Sequence, residues 1–391
     1  MTDKLYEKDP YIREFSARVT ACEKKGNSFR ICLDKSAFFP EGGGQPGDRG
    51  RVDSAVISDT HEKDGEVWHY ADRPLEVGAE VRGCLDWDFR FSNMQNHAGE
   101  HIVSGLIHGK YGYDNVGFHM GSEAITLDIN GELTQAQVRE IEKEANRAIQ
   151  ENVPIRAFVP PKEALAQMDY RSKKELSGDV RIVEIPGYDR CACCGTHPFR
   201  TGEIHLIKIL SVQNYKGGVR LTMLAGNRAL ADYMDKHDSV VKISHLLSAK
   251  TGEISEAVER LQKEIGDLKF KMVQMKREIM TVKAENLKIS GDALCVLENE
   301  FGGNDLREYA NLLSEQVERV LVLAGEDGKR YRYVLIDAKQ RAKDYGKEIQ
   351  KLYQGKGGGT PQMIQGTMAG EAEEIRTWFE NMRLTGENEV Q

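Results

Sequence analysis

Two pairs of residues could do chemistry together. His97 and His101 stand four apart in His97-Ala-Gly-Glu-His101, and Cys193 and His197 stand four apart in Cys193-Cys-Gly-Thr-His197. Imidazole nitrogens and a thiolate are donors that suit a tetrahedral zinc ion. Either pair alone is commonplace. Both, in a chain with only seven cysteines, favour one shared site, read here as one Zn2+ per chain on His97, His101, Cys193 and His197. Cys191 and Cys194 flank Cys193, so the choice of thiolate rests on register.

The first pair needs a helix, which carries residues four apart on one side. Phe91 to Gly109 supplies one: Ser92 and Gln95 read as a capping box and Gly109 as a C-terminal stop. The second pair follows a strand expected over Val180–Ile185 and a Pro-Gly turn at 186–187. It therefore belongs to a loop at a strand end.

With 391 residues the chain is too long for one core and implies two to four domains. No apolar run approaches membrane-spanning length, and the start lacks an apolar signal region, so a cytoplasmic protein is expected. The odd cysteine count argues against a disulfide framework. A net charge of −8 argues against a whole-surface nucleic-acid binder and leaves room for a local basic face.

The expected fold class is multidomain α+β. Residues 1–90 read as a small antiparallel β-barrel, with strands over 14–21, 28–33, 50–57 and 66–70. Within it Gly42-Gly-Gly-Gln45 lets a backbone approach a ligand, and Gly43, Gly44 and Gln45 are candidate substrate contacts. Residues 91–234 read as a two-layer α+β domain carrying the metal. A helix opens at a Thr134–Gln137 capping box, and strands are expected over 203–212 and 218–224.

Residues 235–290 read as a helical coiled-coil segment. From Ile254 to Val282 apolar residues recur at spacings of four and three, which suits either a hairpin or a dimer. Residues 291–391 read as an α/β domain with strands over 316–324 and 332–336 and a helix over 338–352. Between Lys329 and Lys356 nine basic residues meet three acids. Lys339, Arg341, Lys343, Lys347, Lys351 and Lys356 are the candidate phosphate contacts. A flexible basic loop over 355–366 is expected to close that face.

Taken together, Phe39-Pro-Glu-Gly-Gly-Gly-Gln-Pro-Gly-Asp48, the two metal pairs and the C-terminal glycine run resemble the editing region of alanyl-tRNA synthetase. They also resemble its freestanding relatives, the AlaX-type alanyl-tRNA editing proteins of the long form. That resemblance implies a trans-editing hydrolase that removes serine, and in a further variant glycine, from tRNA(Ala). It implies zinc on the four named residues and binding of the tRNA acceptor end and body. Apart from the resemblance, no membrane partner is expected, and homodimerisation through the coiled coil or C-terminal domain is an option. The family often has Thr where Glu100 stands and Gly where Cys194 stands.

An aminoacyl ester is labile, so cleavage needs a placed water and a stabilised oxyanion. Glu100 is the candidate general base. The need for such an activity follows from selectivity, because a small apolar pocket rejects an added hydroxyl poorly. Two other readings are a tRNA-binding adaptor with a structural zinc and an HxxEH-type zinc peptidase built on His97-x-x-Glu100-His101.

Overall fold

A computed structural model describes residues 1–172, 179–327 and 329–382. The chain divides into two compact units, Met1–Leu246 and Leu247–Gln391.

After a short strand Asp3–Lys4 (paired with Lys35–Ser36) and a helical turn Leu5–Lys8, six strands of the first unit form one sheet: β1 (Glu14–Lys25), β2 (Ser28–Leu33), β3 (Gly50–Val52), β4 (Ala55–Lys63), β5 (Glu66–Ala71) and β6 (Glu80–Leu85). They pair antiparallel in the order β1-β2-β5-β4-β3-β6, and β6 returns to β1, so the ring closes. Alternation produces it: Phe15, Ala17 and Val19 of β1 point inward while Ser16 and Arg18 face solvent. The single strand expected over 50–57 is two, because Asp53 takes a left-handed conformation (φ 48°) and turns the chain between β3 and β4.

Helix α1 (Trp87–Tyr111) follows and organises the unit. It starts earlier than expected. Asp86, not Ser92, is its cap, accepting a bond from the Phe89 amide at 3.1 Å. It also ends later, at Gly112 (φ 68°) rather than Gly109. The stop and start residues inside it are overridden by burial on almost every side of its middle turns, from Asn93 to Gly105.

Two sheets pack around α1. One runs β12 (Ile207–Tyr215), β13 (Gly218–Ala225), β8 (Ile125–Ile129), β7 (Asn115–Met120), all antiparallel. The expected start at 203 is instead a 3-10 turn over Thr201–Ile204. The other sheet is β9 (Arg156–Phe158), β10 (Ile182–Ile185) and β11 (Asp189–Ala192). Helix α2 (Gln135–Glu151) opens on the expected Thr134–Gln137 box and buries Val138, Ile141, Ala145 and Ala148 in the same core as Ala98 and Ile102 of α1. Helix α3 (Asn227–Leu247) ends the unit.

In the second unit the helix expected from the heptad exists as α4 (Ile254–Glu285). Its stripe from Leu261 to Val282 stays 44–62% exposed at Leu261, Ile265, Leu268, Met272, Met275, Ile279 and Val282, so the stripe is not core. A five-stranded sheet follows in the order β14 (Ala293–Leu297), β15 (Arg319–Ala324), β16 (Arg330–Asp337), β18 (Met363–Ala369), β17 (Lys356–Gly359). Helix α5 (Gly303–Leu313) covers one face and α6 (Ala342–Tyr353) with α7 (Ala372–Asn381) the other. The loop expected over 355–366 is an ordered hairpin instead. Its glycines pair across to β18, from Lys356–Thr367 to Gly359–Ile364, because a glycine strand fits where backbones crowd. Among the described residues no helix is long and apolar enough to cross a membrane.

Candidate metal centre

The ninety-residue gap between the two pairs closes in three dimensions. One ligand atom from each of His97, His101, Cys193 and His197 lies within 4.8 Å of the other three. His97 and His101 project from adjacent turns of α1, and Cys193 leaves the end of β11 into a tight loop. The Cys193 sulfur is 3.5 Å from His97 Nε2 and 3.8 Å from His197 Nε2. Ligand edges of a zinc-type tetrahedron with mixed N and S donors are about 3.3–3.8 Å, from bond lengths of about 2.0–2.3 Å. The three imidazoles are 2–4% exposed.

An orphaned atom argues that these residues fit an ion. His101 Nε2 is buried in the cluster and makes no hydrogen bond among the described residues, a costly state unless something coordinates it. The electrostatics agree. Burial works against a thiolate at Cys193, yet the surrounding His97, His197 and His101 imidazoles hold its thiol well below the ordinary range. Burial pushes His197 down to about 3, leaving the neutral imidazole that binds metals. Burial opposes charge on His101 too, but the bond to Asp189 and the nearby Cys193 sulfur outweigh it and hold that imidazole well above its usual value.

A second ring of groups orients the first. His97 Nδ1 donates to Gln45 Oε1 at 2.9 Å. His101 Nδ1 lies 2.7 Å from Asp189 Oδ2, and Arg171 grips the same carboxylate at 2.8 and 3.0 Å. Both bonds leave Nε2 of each ring directed into the cluster, where an ion could be held. Gln45, read from the sequence as a substrate-facing amide, is fully buried. Its oxygen also accepts the Thr196 amide and its nitrogen donates to the Thr196 hydroxyl at 2.9 Å. Gly43 and Gly44 before it are exposed and left-handed (φ 60° and 85°). A Cβ at Gly44 would strike the Phe118 ring at 2.4 Å, and Phe118 in turn stacks on His97. A Cβ at Gly195 would sit 2.2 Å from His97 Cε1, so the loop between Cys193 and His197 admits only glycine there.

The far end of the glycine loop is anchored as well. Arg90, one heptad before His97 on α1, is fully buried and bonds Asp48 through Nε at 2.7 Å and through Nη2. Glu100 is buried beside these groups, with Ser104 Oγ at 2.7 Å and Asn115 Nδ2 at 2.5 Å from its Oε1. Of the other cysteines, Cys191 is buried near Asp189 and His101, and Cys194 is exposed.

In the second unit Lys343, Lys347 and Lys356 line one cleft of about 540 Å³ with Tyr333 and the β17 glycines. Of these Lys347 also pairs with Asp344 at 2.9 Å; Lys339 pairs with Glu318 at 3.0 Å, Arg341 approaches Asp337 at 3.5 Å, and Lys351 is exposed on α6 outside that cleft. Asp189, Arg171 and Arg90 carried no sequence signal: each is an isolated polar residue whose meaning lies in a partner distant in the chain, and Thr196 was legible only as part of the Cys193–His197 motif, not as a partner of Gln45.

Residues 180–222, which contain Cys193 and His197, match the model described as Threonyl and Alanyl tRNA synthetase second additional domain. The chain is 28% identical to the alanyl-tRNA editing protein AlaX-L of Pyrococcus horikoshii, over 96% of each chain. This chain is a relative of the alanyl-tRNA editing proteins. A vertebrate member, alanyl-tRNA editing protein Aarsd1 of Danio rerio, is 27% identical over 92% of each chain. The alanine–tRNA ligase of Ignicoccus hospitalis is 33% identical over 72% of this chain and 32% of its own length. The likeness to editing proteins thus spans both units, while the ligase shares a portion of a longer protein.

Proposed function

We propose that this protein is a cytoplasmic trans-editing hydrolase that deacylates mischarged tRNA(Ala), with serine, and in the alternative glycine, as the amino acid removed. The observation that carries the reading is the convergence of His97, His101, Cys193 and His197 in a chain similar end to end to alanyl-tRNA editing proteins. Zinc is the ion this donor set suits. When bound, such an ion supplies a positive charge that can polarise an ester carbonyl or lower the pKa of a water.

The protein's own groups do the rest. Gln45 and Asp189 fix the tautomers and ring planes of His97 and His101, so Gln45 acts through His97. Gly43 and Gly44, lacking side chains, leave backbone free to approach the aminoacyl end. Glu100 is the assigned base; bonds from Ser104 and Asn115 aim its carboxylate. Lys343, Lys347 and Lys356, with Lys339, Arg341 and Lys351 beside them, form the basic face that would hold the tRNA body. The exposed α4 stripe supports pairing with a second copy.

Deacylation of Ser-tRNA(Ala), Ala-tRNA(Ala) and Ser-tRNA(Ser) by wild type and His101→Ala tests the reading. Ser-tRNA(Ala) should be cleaved fastest and the variant should lose that turnover. Equal rates on all three substrates, or an unaffected variant, would sink it.

A further inference from the structure

Two residues beyond the metal-site His197, Phe199 turns an aromatic face outward: it is 51% exposed. Its other face is not free. Tyr11 stacks on it with ring centroids 4.5 Å apart and planes 8° from parallel. Tyr11 is itself locked, donating its hydroxyl to Glu203 at 2.5 Å and accepting the Phe199 backbone amide at 3.3 Å. Trp87 and Phe91 of α1 pack behind Tyr11 at 5.5 and 6.3 Å. A phenylalanine serving only the core would be covered. This one is held flat on a rigid stack with its outer face in water.

Cations border the stack. Arg13 lies over the Trp87 ring at 4.2 Å, and Arg200 follows Phe199 in the chain. Neither forms an ion pair among the described residues. Arg200 Nη2 meets only the neutral Asn152 carbonyl, at 2.6 Å. A planar aromatic face flanked by cations lacking carboxylate partners suits a nucleobase joined to a phosphodiester.

We infer that Phe199, backed by Tyr11, is a stacking platform for the unpaired 3′-terminal nucleobase of the RNA, with Arg13 and Arg200 facing its phosphates. The inference rests on the tRNA-editing reading and deepens it. Two residues span at most about 7 Å, so a base seated on Phe199 leaves its aminoacylated ribose beside the His197 loop. Stacking here is indifferent to base identity, which suits an invariant single-stranded end read by position.

The test uses the full chain and an uncharged RNA hairpin with a single-stranded 3′ overhang ending in 2-aminopurine, so no turnover is required. Wild type should quench the fluorophore on binding. Phe199→Trp should keep the quench. Phe199→Ala and Phe199→Leu, the second retaining bulk without a ring, should lose it and weaken binding about tenfold. On Ser-tRNA(Ala) the loss should fall on KM more than on kcat. Equal quenching and affinity in wild type, Phe199→Leu and Phe199→Ala would overturn the platform, even with deacylation intact. So would equal binding of a blunt hairpin. Ring-dependent quenching without deacylation by wild type would uphold the platform and remove the editing reading instead. Thermal melting of each variant separates lost stacking from lost fold, and Phe199→Leu serves if Phe199→Ala does not fold.

Discussion

His97 and Gln45, 52 positions apart in sequence, share a 2.9 Å hydrogen bond that ties the glycine loop of the strand ring to the candidate metal centre on α1. Arg90 and Asp48 repeat the tie one heptad earlier on the helix and three residues later on the loop. The stretch from Gln45 to Asp48 is thus tied twice to α1, and the exposed Gly43 and Gly44 lie immediately before the first tie.

If Gln45 orients His97, its loss should be felt by the metal before the fold. Gln45→Ala should bind Zn2+ about ten- to a hundredfold more weakly in competition with a chromogenic chelator. Melting of the metal-free protein should shift little by comparison. Unchanged affinity would mean the bond to His97 is incidental.

Only one of the three neighbouring cysteines faces the three imidazoles. Cys193→Ser should therefore abolish the sulfur-to-metal charge-transfer band of the cobalt-substituted protein. Cys194→Ser, altering an exposed thiol, should leave that band in place. The opposite pattern would shift the ligand register by one residue.

The Arg90–Asp48 pair is wholly buried, with side chains 0% and 1% exposed. Removing one charge from such a pair strands the other. Asp48→Asn should lower unfolding free energy by about 3–5 kcal/mol in urea titration. A change below about 1 kcal/mol would show that the pair does not hold the loop.

His69, fully buried in the strand ring, is pushed down to about 4 by burial, which its Nδ1 bond to the Ile31 carbonyl only partly offsets. Unfolded, it titrates near about 6.5. The unfolded chain then binds more protons between these values, so stability is full above pH ~6.5 and falls as pH drops towards ~4. The difference is about 3 kcal/mol. Melting temperature against pH should slope in that window, and His69→Gln should flatten the slope.

Glu100→Gln keeps an oxygen for Ser104 and Asn115 but cannot take a proton. Turnover should fall about 10²–10⁴-fold with zinc content unchanged. Full activity would move the base elsewhere.

Much of this was legible in the sequence because it depends on short-range chemistry. Donor types at four-residue spacing marked the four candidate metal ligands, the Thr134–Gln137 box marked the start of α2, and alternation marked much of the ring, though not its break at Asp53 or the strand Glu80–Leu85. Helix α1 was legible in kind but not in extent, since burial outweighs the local stop at Gly109. The C-terminal glycine run read as a loop because glycine is a poor strand former; only pairing with β18 makes it a strand. The tertiary structure alone decided which cysteine meets the histidines, that Gln45 serves His97, and that Asp189 and Asp48 find their arginines. A hydrogen bond between residues dozens of positions apart leaves no period or spacing in the chain, because it is set by how whole elements pack.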